Sequence, residues 1–298
     1  MNRAGKQKLK MAQSLPRTRI PLLQTLRAIA LTLILACLAS AQGSAPKTAA
    51  PSSGAQPVPQ DDNARHARAL LDQMIQAMGG QAWLNIKDVS QEGRTYGFYH
   101  GKSGGGAPFW RFAKWPDMER LELTKQRDWI IIHNGDQGWE ITFRGTAPED
   151  PEEHEAYLLR RPFTLEHVLR EWLDQPGTAL FYEGRALAER KEAEKVTVLN
   201  SQNQPVSFYI DIFTHLPIKK SFQHRNPLYR DQDVEDEVYD NWHTVQGIPT
   251  ALDITRMHNG ESTNQRFLNK VTYNSGLPDS MFSATVAIKG EKPDEKKK

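Results

Sequence analysis

The sequence predicts a mainly β protein: one large antiparallel sheet carrying a few helices. Three observations predict it. Apolar and polar residues alternate with a period of two through "GWEITF" (138–143) and "PVSFYIDI" (205–212), as in strands with one buried face. Helical spacing is confined to the start of the folded region and to its middle. Strand–helix–strand repetition, which a parallel sheet would need, is absent.

The elements follow in order. Asp61 and Asp62 can cap a first helix, in which Leu70, Leu71, Met74, Ile75 and Met78 form one stripe and Gly79-Gly80 is the stop. "VSQEGRTYGFYH" (89–100) reads as strand. "SGGGAP" (103–108) reads as a flexible loop, and two strands split near Pro116 follow it. "DWIIIHNGDQGWEITFRG" reads as a hairpin, with Asn134-Gly135 as its turn. A helical middle comes next. Asp150-Pro151 starts one helix containing Leu158, and Thr164 caps another containing Leu169 and Trp172. Strands then resume, giving about ten in all, with "NSQNQ" (200–204) as a polar hairpin loop.

The N-terminal region gives a location. Residues 1–19 carry Arg3, Lys6, Lys8, Lys10, Arg17 and Arg19 and no acid. The apolar run after them, 28–38, is shorter than the ~20 residues of a membrane span. With Ala39-Ser40-Ala41 behind it, the order is that of a secretory signal, so 1–41 is the expected signal peptide and Gln42 the expected first mature residue. "ILAC" (34–37) gives the other reading, a loose lipobox with Cys37 lipidated and anchored. Either way the expected location is the periplasm. Residues 42–60 are a Pro/Ala/Ser spacer, 61–288 a single folded domain, and 289–298 a charged tail.

Composition excludes several functions. The chain has 38 basic and 36 acidic side chains, and seven of the basic ones lie in 1–41. The mature part is therefore acidic, which argues against a nucleic-acid partner. Cys37 is the only cysteine, so the mature chain has no disulfide and no thiolate metal site. His154-Glu155 lacks a second His at zincin spacing, and His215 and His224 have no carboxylate at a telling spacing. Asp231, Asp233 and Glu235 read as a solvated acidic loop, since Asp236 and Trp242 occupy the positions where a calcium loop needs Gly and Glu. No residue set for acid–base or covalent catalysis is evident, and no phosphate loop. The expectation is a protein that is not an enzyme, with no cofactor and no metal.

The order of "MIQAMGGQAWLNIKDVSQEG", "NGDQGWEI", "YIDIFTHLPIK", "VYDNWHTVQGIPTALDIT" and "KVTYNSGLPDSMF" resembles the bacterial outer-membrane lipoprotein-sorting-protein-like family, which shares the fold of the periplasmic lipoprotein carrier. The resemblance spans 64–282. It implies a strongly curved antiparallel sheet forming an incomplete β-barrel, with a few helices covering its open face. It also implies an apolar hollow for a lipid or lipidated protein. Asp211, Thr214, Leu216 and Pro217 match one motif, Gly247, Ile248 and Pro249 a second, and Asn274, Gly276 and Leu277 a third. In the second motif the proline comes one residue early.

The residues themselves give plainer roles: Asp211 accepts N–H groups in the turn to Pro217, while Gly247 and Pro249 form a bend between strands. A sheet hinged there would place Trp139, Ile141, Phe143, Phe208, Ile210, Leu252 and Ile254 around an apolar cavity, under a helical lid bearing Met74, Met78, Leu158, Leu169 and Trp172. The function expected is a periplasmic carrier or receptor for a lipid or lipid-modified ligand. The alternative is an envelope protein-interaction or stress-sensing module, with an envelope membrane protein as partner.

Overall fold

The structure, a computed structural model, describes residues 62–226, 229 and 231–284. The expected signal peptide, spacer and charged tail, and Cys37 with them, lie outside the described residues.

Two antiparallel meanders form the sheet. The first comprises β1 (Asp88–Tyr99), β2 (Lys102–Lys114), β3 (Met118–Leu123), β4 (Trp129–Asn134), β5 (Gln137–Thr142) and β6 (Gly145–Pro148). The second comprises β7 (Ala179–Ala188), β8 (Lys191–Leu199), β9 (Pro205–Asp211), β10 (Pro217–Arg225), β11 (Gln232–Val245), β12 (Ile248–His258) and β13 (Glu261–Tyr273). The pairing of β1 with β13 joins the meanders into one 13-stranded sheet, ordered β6-β5-β4-β3-β2-β1-β13-β12-β11-β10-β9-β8-β7. Helices α1 (Asp62–Ala77) and α2 (Gln81–Leu84) precede it. Helices α3 (Pro151–Arg160) and α4 (Leu165–Arg170) lie in the connection from β6 to β7. Among the described residues no helix is long and apolar enough to cross a membrane.

The expected incomplete barrel is not formed. The sheet is open and not strongly curled: β6 and β7 are its end strands, and each has one partner. Closure would require those ends to pair in a staggered register. Instead the edges are blunted. β6 is short and ends in Pro148. On β7, Glu183 and Arg185 are exposed, and the Asn63 side chain caps the edge by donating Nδ2–H to the Tyr182 carbonyl and accepting its N–H, both at 2.8 Å.

The device expected to bend the sheet is a tight turn. Gln246 (φ 51°) and Gly247 (φ 82°) are the two residues between the paired Val245 and Ile248, the geometry of a two-residue hairpin that needs positive φ at both positions. Pro249 then falls opposite Thr244, in the pair that exchanges no ladder bonds, and β12 meets β13 only from Asp253 onward. Its missing donor therefore leaves no neighbour unpaired.

Three further expectations are corrected. The segment 103–108 is the start of β2 and not a loop, with Ala107 opposite Thr95 and Gly106 opposite Tyr96. The β4–β5 turn is Gly135-Asp136, one residue on from the expected pair. Asp233 and Glu235 lie on β11. The Asp233 carboxylate is buried and accepts from Asn226 and Asn259 at 2.7 and 3.0 Å, so it is no solvated loop.

The main core fills one end of the sheet. Leu71 and Met74 from α1, Met78, Val168 and Leu169 from α4, and Trp172 pack on Val196, Val198, Phe208, Ile210 and Phe222. Alternation in β9, where Val206, Phe208 and Ile210 are all buried, places these side chains under the helices.

Candidate functional site

The candidate site lies beside that core, where α3 and α4 pass over the strands on either side of the β1–β13 junction. A cavity of about 200 Å³ opens there. Its walls are aromatic and charged. Trp83, Trp115, Tyr157 from α3 and Tyr273 from β13 are among the residues that line it. Seven cationic side chains line it (Lys87, Arg111, Lys114, Arg160, Arg161, Arg170 and Arg256) against four carboxylates.

Most of these charges have fixed partners. Arg111 donates to Glu119 Oε2 from Nε and Nη2, at 3.0 and 2.7 Å, and to Gln91. Burial alone would raise the Glu119 carboxyl, but the Arg111 charge and hydrogen bonds outweigh it and hold Glu119 at about 2. Arg161 is tied to Asp136 and to the Gly135 carbonyl. Asp88 accepts from the Ser275 and Gly276 N–H groups at 2.7 and 3.0 Å, fastening the start of β1 to the chain after β13. Arg170 donates to the carbonyls of Trp83 and Ile86 at the end of α2, between the Trp83 and Trp115 rings at 5.0 and 4.9 Å. Burial pushes its guanidinium below the ordinary range.

Positive charge is in excess where β10 to β13 meet α3. Glu237 is the single carboxylate serving Lys220 at 3.1 Å, Arg256 at 3.4 Å and Arg266 at 3.6 Å. Those three charges outweigh the burial that would raise it and hold it well below the ordinary range. The cross-strand register, Lys220 opposite Glu237 and Glu237 opposite Arg256, puts them on one face. Arg266 is half-buried beside Arg256 and Arg111. Burial and those two like charges push it down to about 9, and its Nε is buried without a partner. Arg160, at the end of α3, makes no side-chain hydrogen bond and no ion pair among the described residues. Burial and then the Arg256 charge depress it, while Glu235, Glu153 and Glu237 offset part of this from a distance.

The residues singled out from sequence are dispersed. Phe208, Ile210, Met74, Met78, Leu169 and Trp172 meet in the main core, with Phe208 at 0% exposure. Ile141 and Trp139 belong to a second cluster around Phe282. Leu252 and Ile254 flank a third, around Phe109. Phe143 is 84% exposed, and Leu158 is half-buried on α3. None of the twelve lines the cavity. Asp211 accepts from the Phe213 and Thr214 N–H groups at 2.9 and 2.8 Å in the turn to Pro217.

No protein-family model matches the chain, and no curated protein matches its sequence. Solved structures share its fold, among them two at a TM-score of 0.50. One is a DUF1329 family protein from Desulfovibrio piger, 12% identical, with a TM-score of 0.50 over 73% of this chain and 97% of that one. The other is a putative outer membrane lipoprotein-sorting protein domain from Vibrio parahaemolyticus, 9% identical, with a TM-score of 0.50 over 74% of this chain and 97% of that one. The chain thus bears a remote structural resemblance to the lipoprotein-sorting-like fold, and at these identities the likeness is one of fold.

Proposed function

We propose that the protein is a non-catalytic carrier or receptor of the bacterial envelope that binds a lipid or lipid-modified ligand through an anionic head. The carrying observation is the Arg160 guanidinium in an aromatic-walled cleft beside Arg256, with no carboxylate at ion-pair distance among the described residues. An ionised carboxylate or phosphate there would offset two under-compensated cations in a partly desolvated place, where charge-assisted hydrogen bonds are strongest. Trp115, Tyr157 and Tyr273 give the first carbons of a chain an apolar wall. About 200 Å³ holds a head and the start of a chain, so a longer chain would leave along the cleft beneath α3 and α4.

Two further observations support this reading. One structure of the same fold is a putative outer membrane lipoprotein-sorting protein domain. Residues 1–41 have the pattern of an export signal, so the mature chain would begin at Gln42, or at lipidated Cys37, with 61–288 as the ligand-binding domain.

The test is a titration of delipidated, tag-free mature protein with fatty acids of increasing length and with their methyl esters. Affinity should rise with length, and the esters should bind ~10-fold or more weakly, about 1.4 kcal/mol. Arg160→Met should abolish that difference without changing the melting temperature by more than ~2 °C. Equal affinity for acid and ester would refute the anionic head. Saturable capture of an envelope protein with no lipid binding at any length would favour the interaction module.

A further inference from the structure

His133, Glu149 and His154 come together at the far side of α3, and their ligand atoms all lie within 4.8 Å of one another. His133 is on β4, Glu149 follows β6, and His154 is on α3. Their side chains are 7%, 8% and 20% exposed. His133 Nε2 is 2.8 Å and His154 Nδ1 is 3.0 Å from the same oxygen, Glu149 Oε2.

The other nitrogen of His154 makes this arrangement informative. Nε2 lies 3.0 Å from the backbone carbonyl of Asp136, which can only accept, so Nε2 carries the hydrogen. In a neutral imidazole Nδ1 then presents a lone pair, directly against the carboxylate oxygen. Two acceptors at 3.0 Å repel unless a cation lies between them or beside both. An imidazole that donates one N–H to a backbone carbonyl and aims the other nitrogen at a shared centre has the usual orientation of a metal-ligating histidine.

The surroundings hold the three donors in place. Arg161 binds the Gly135 carbonyl and the Asp136 carboxylate, fixing the turn that orients His154. Tyr157 stacks on His133 with ring centroids 3.5 Å apart. At Gly138 a Cβ would come within 2.3 Å of His154 Nδ1 and 2.6 Å of Glu149 Oε2, so the residue there must be glycine for the donors to converge.

We propose that His133 Nε2, Glu149 Oε2 and His154 Nδ1 bind one divalent ion of the zinc class, which fastens α3 to β4. Two imidazoles and a carboxylate suit zinc, whose bonds to N and O are ~2.0–2.2 Å. The imidazole–carboxylate spacings of 2.8 and 3.0 Å would need to open by a few tenths of an ångström, and the two imidazole nitrogens, within 4.8 Å of each other, to draw in toward tetrahedral edges of ~3.3 Å, leaving the fourth position to water. The inference is independent of any ligand in the cleft.

The experiment uses tag-free mature protein, stripped with chelator and titrated with Zn²⁺ by calorimetry. Co²⁺ serves as a spectroscopic probe. One equivalent should bind with a Kd of ~1 μM or tighter, and Co²⁺ should show the intense visible bands of four-coordination. The melting temperature should rise. Glu149→Gln and His154→Gln should each weaken binding at least ~10-fold. His154→Gln, on the more exposed side chain, serves if Glu149→Gln fails to fold. The proposal is overturned if no equivalent binds below ~100 μM, or if binding is unchanged in His154→Gln.

Discussion

Glu237→Gln isolates the electrostatics of the sheet's helix-covered face. The substitution keeps the side chain's size and removes the one charge that Lys220, Arg256 and Arg266 share. Lys220 is 5% exposed and reaches no other carboxylate among the described residues, so its ammonium would be left buried and unpaired. Tyr239, whose hydroxyl donates to Glu237 Oε2 at 2.9 Å, would keep only a neutral acceptor. Removing one partner of a buried pair costs ~3–5 kcal/mol. For a domain of this size that lowers the melting temperature on the order of 10 °C.

The pH dependence has a definite sign. The Glu237 and Glu119 carboxyls both titrate lower in the folded protein than unfolded. Their stabilisation is therefore present above an ordinary carboxylate value of ~4.5 and is lost as pH falls, for Glu119 down to about 2. Wild-type protein should lose melting temperature steeply below pH ~4.5, and Glu237→Gln should lose less over the same range. Adding Lys220→Met to Glu237→Gln should restore part of the loss, since the most buried charge goes with its partner. Thermal melts of the three proteins from pH 3 to 8 read all of this. A Glu237→Gln protein melting within ~2 °C of wild type at pH 7, with an unchanged acid limb, would refute the reasoning.

Phe208→Ala should cost ~3–5 kcal/mol in urea unfolding and leave affinity for fatty acids unchanged, because Phe208 is in a filled core away from the cleft. Loss of binding in a folded Phe208→Ala protein would instead place the ligand on the apolar face of β9. Asp211→Ala removes the acceptor of two backbone N–H groups and should cost ~1 kcal/mol at pH 7. Burial alone would raise the Asp211 carboxyl, yet those donors hold it below the ordinary range. The deficit should therefore vanish in acid-limb melts, where wild-type Asp211 is protonated too. Gly247→Ala, at φ 82°, should cost ~1 kcal/mol in a reversible melt, and no cost would mean that the β11–β12 turn has another geometry.

Much of this architecture is legible in the sequence, because periodicity records burial directly. The alternation of Val206, Phe208 and Ile210 and the α1 stripe each identify an element and its buried face. Asp150 and Thr164 cap α3 and α4 by accepting the expected N–H groups. Sheet closure is not legible in this way. A Gly-Ile-Pro between two strand patterns fits a bend in one strand or a turn between two, and only the Val245–Ile248 pairing decides.

The cleft was hidden for another reason. Its charges and those beside it sit on strands where period two alone predicts apolar residues: Arg111 of the cleft shares a face with Phe109, and Lys220 next to it with Phe222. Such interruptions of the apolar face are the signal the sequence carries for charges paired across strands. The partners themselves depend on register. Glu237 reaches Lys220 and Arg256 across two ladders, and His133 meets His154 because a hairpin and a helix start fold back on it.

The most direct measurement is photolabelling of the delipidated mature protein with a fatty acid bearing a diazirine near its carboxylate, with the cross-linked residues mapped by mass spectrometry. The account predicts labels on peptides carrying Trp115, Tyr157 and Tyr273, suppressed by excess free fatty acid but not by its methyl ester. Labels gathered on exposed apolar residues such as Phe143, Leu187 and Phe213, or suppressed equally by acid and ester, would contradict it.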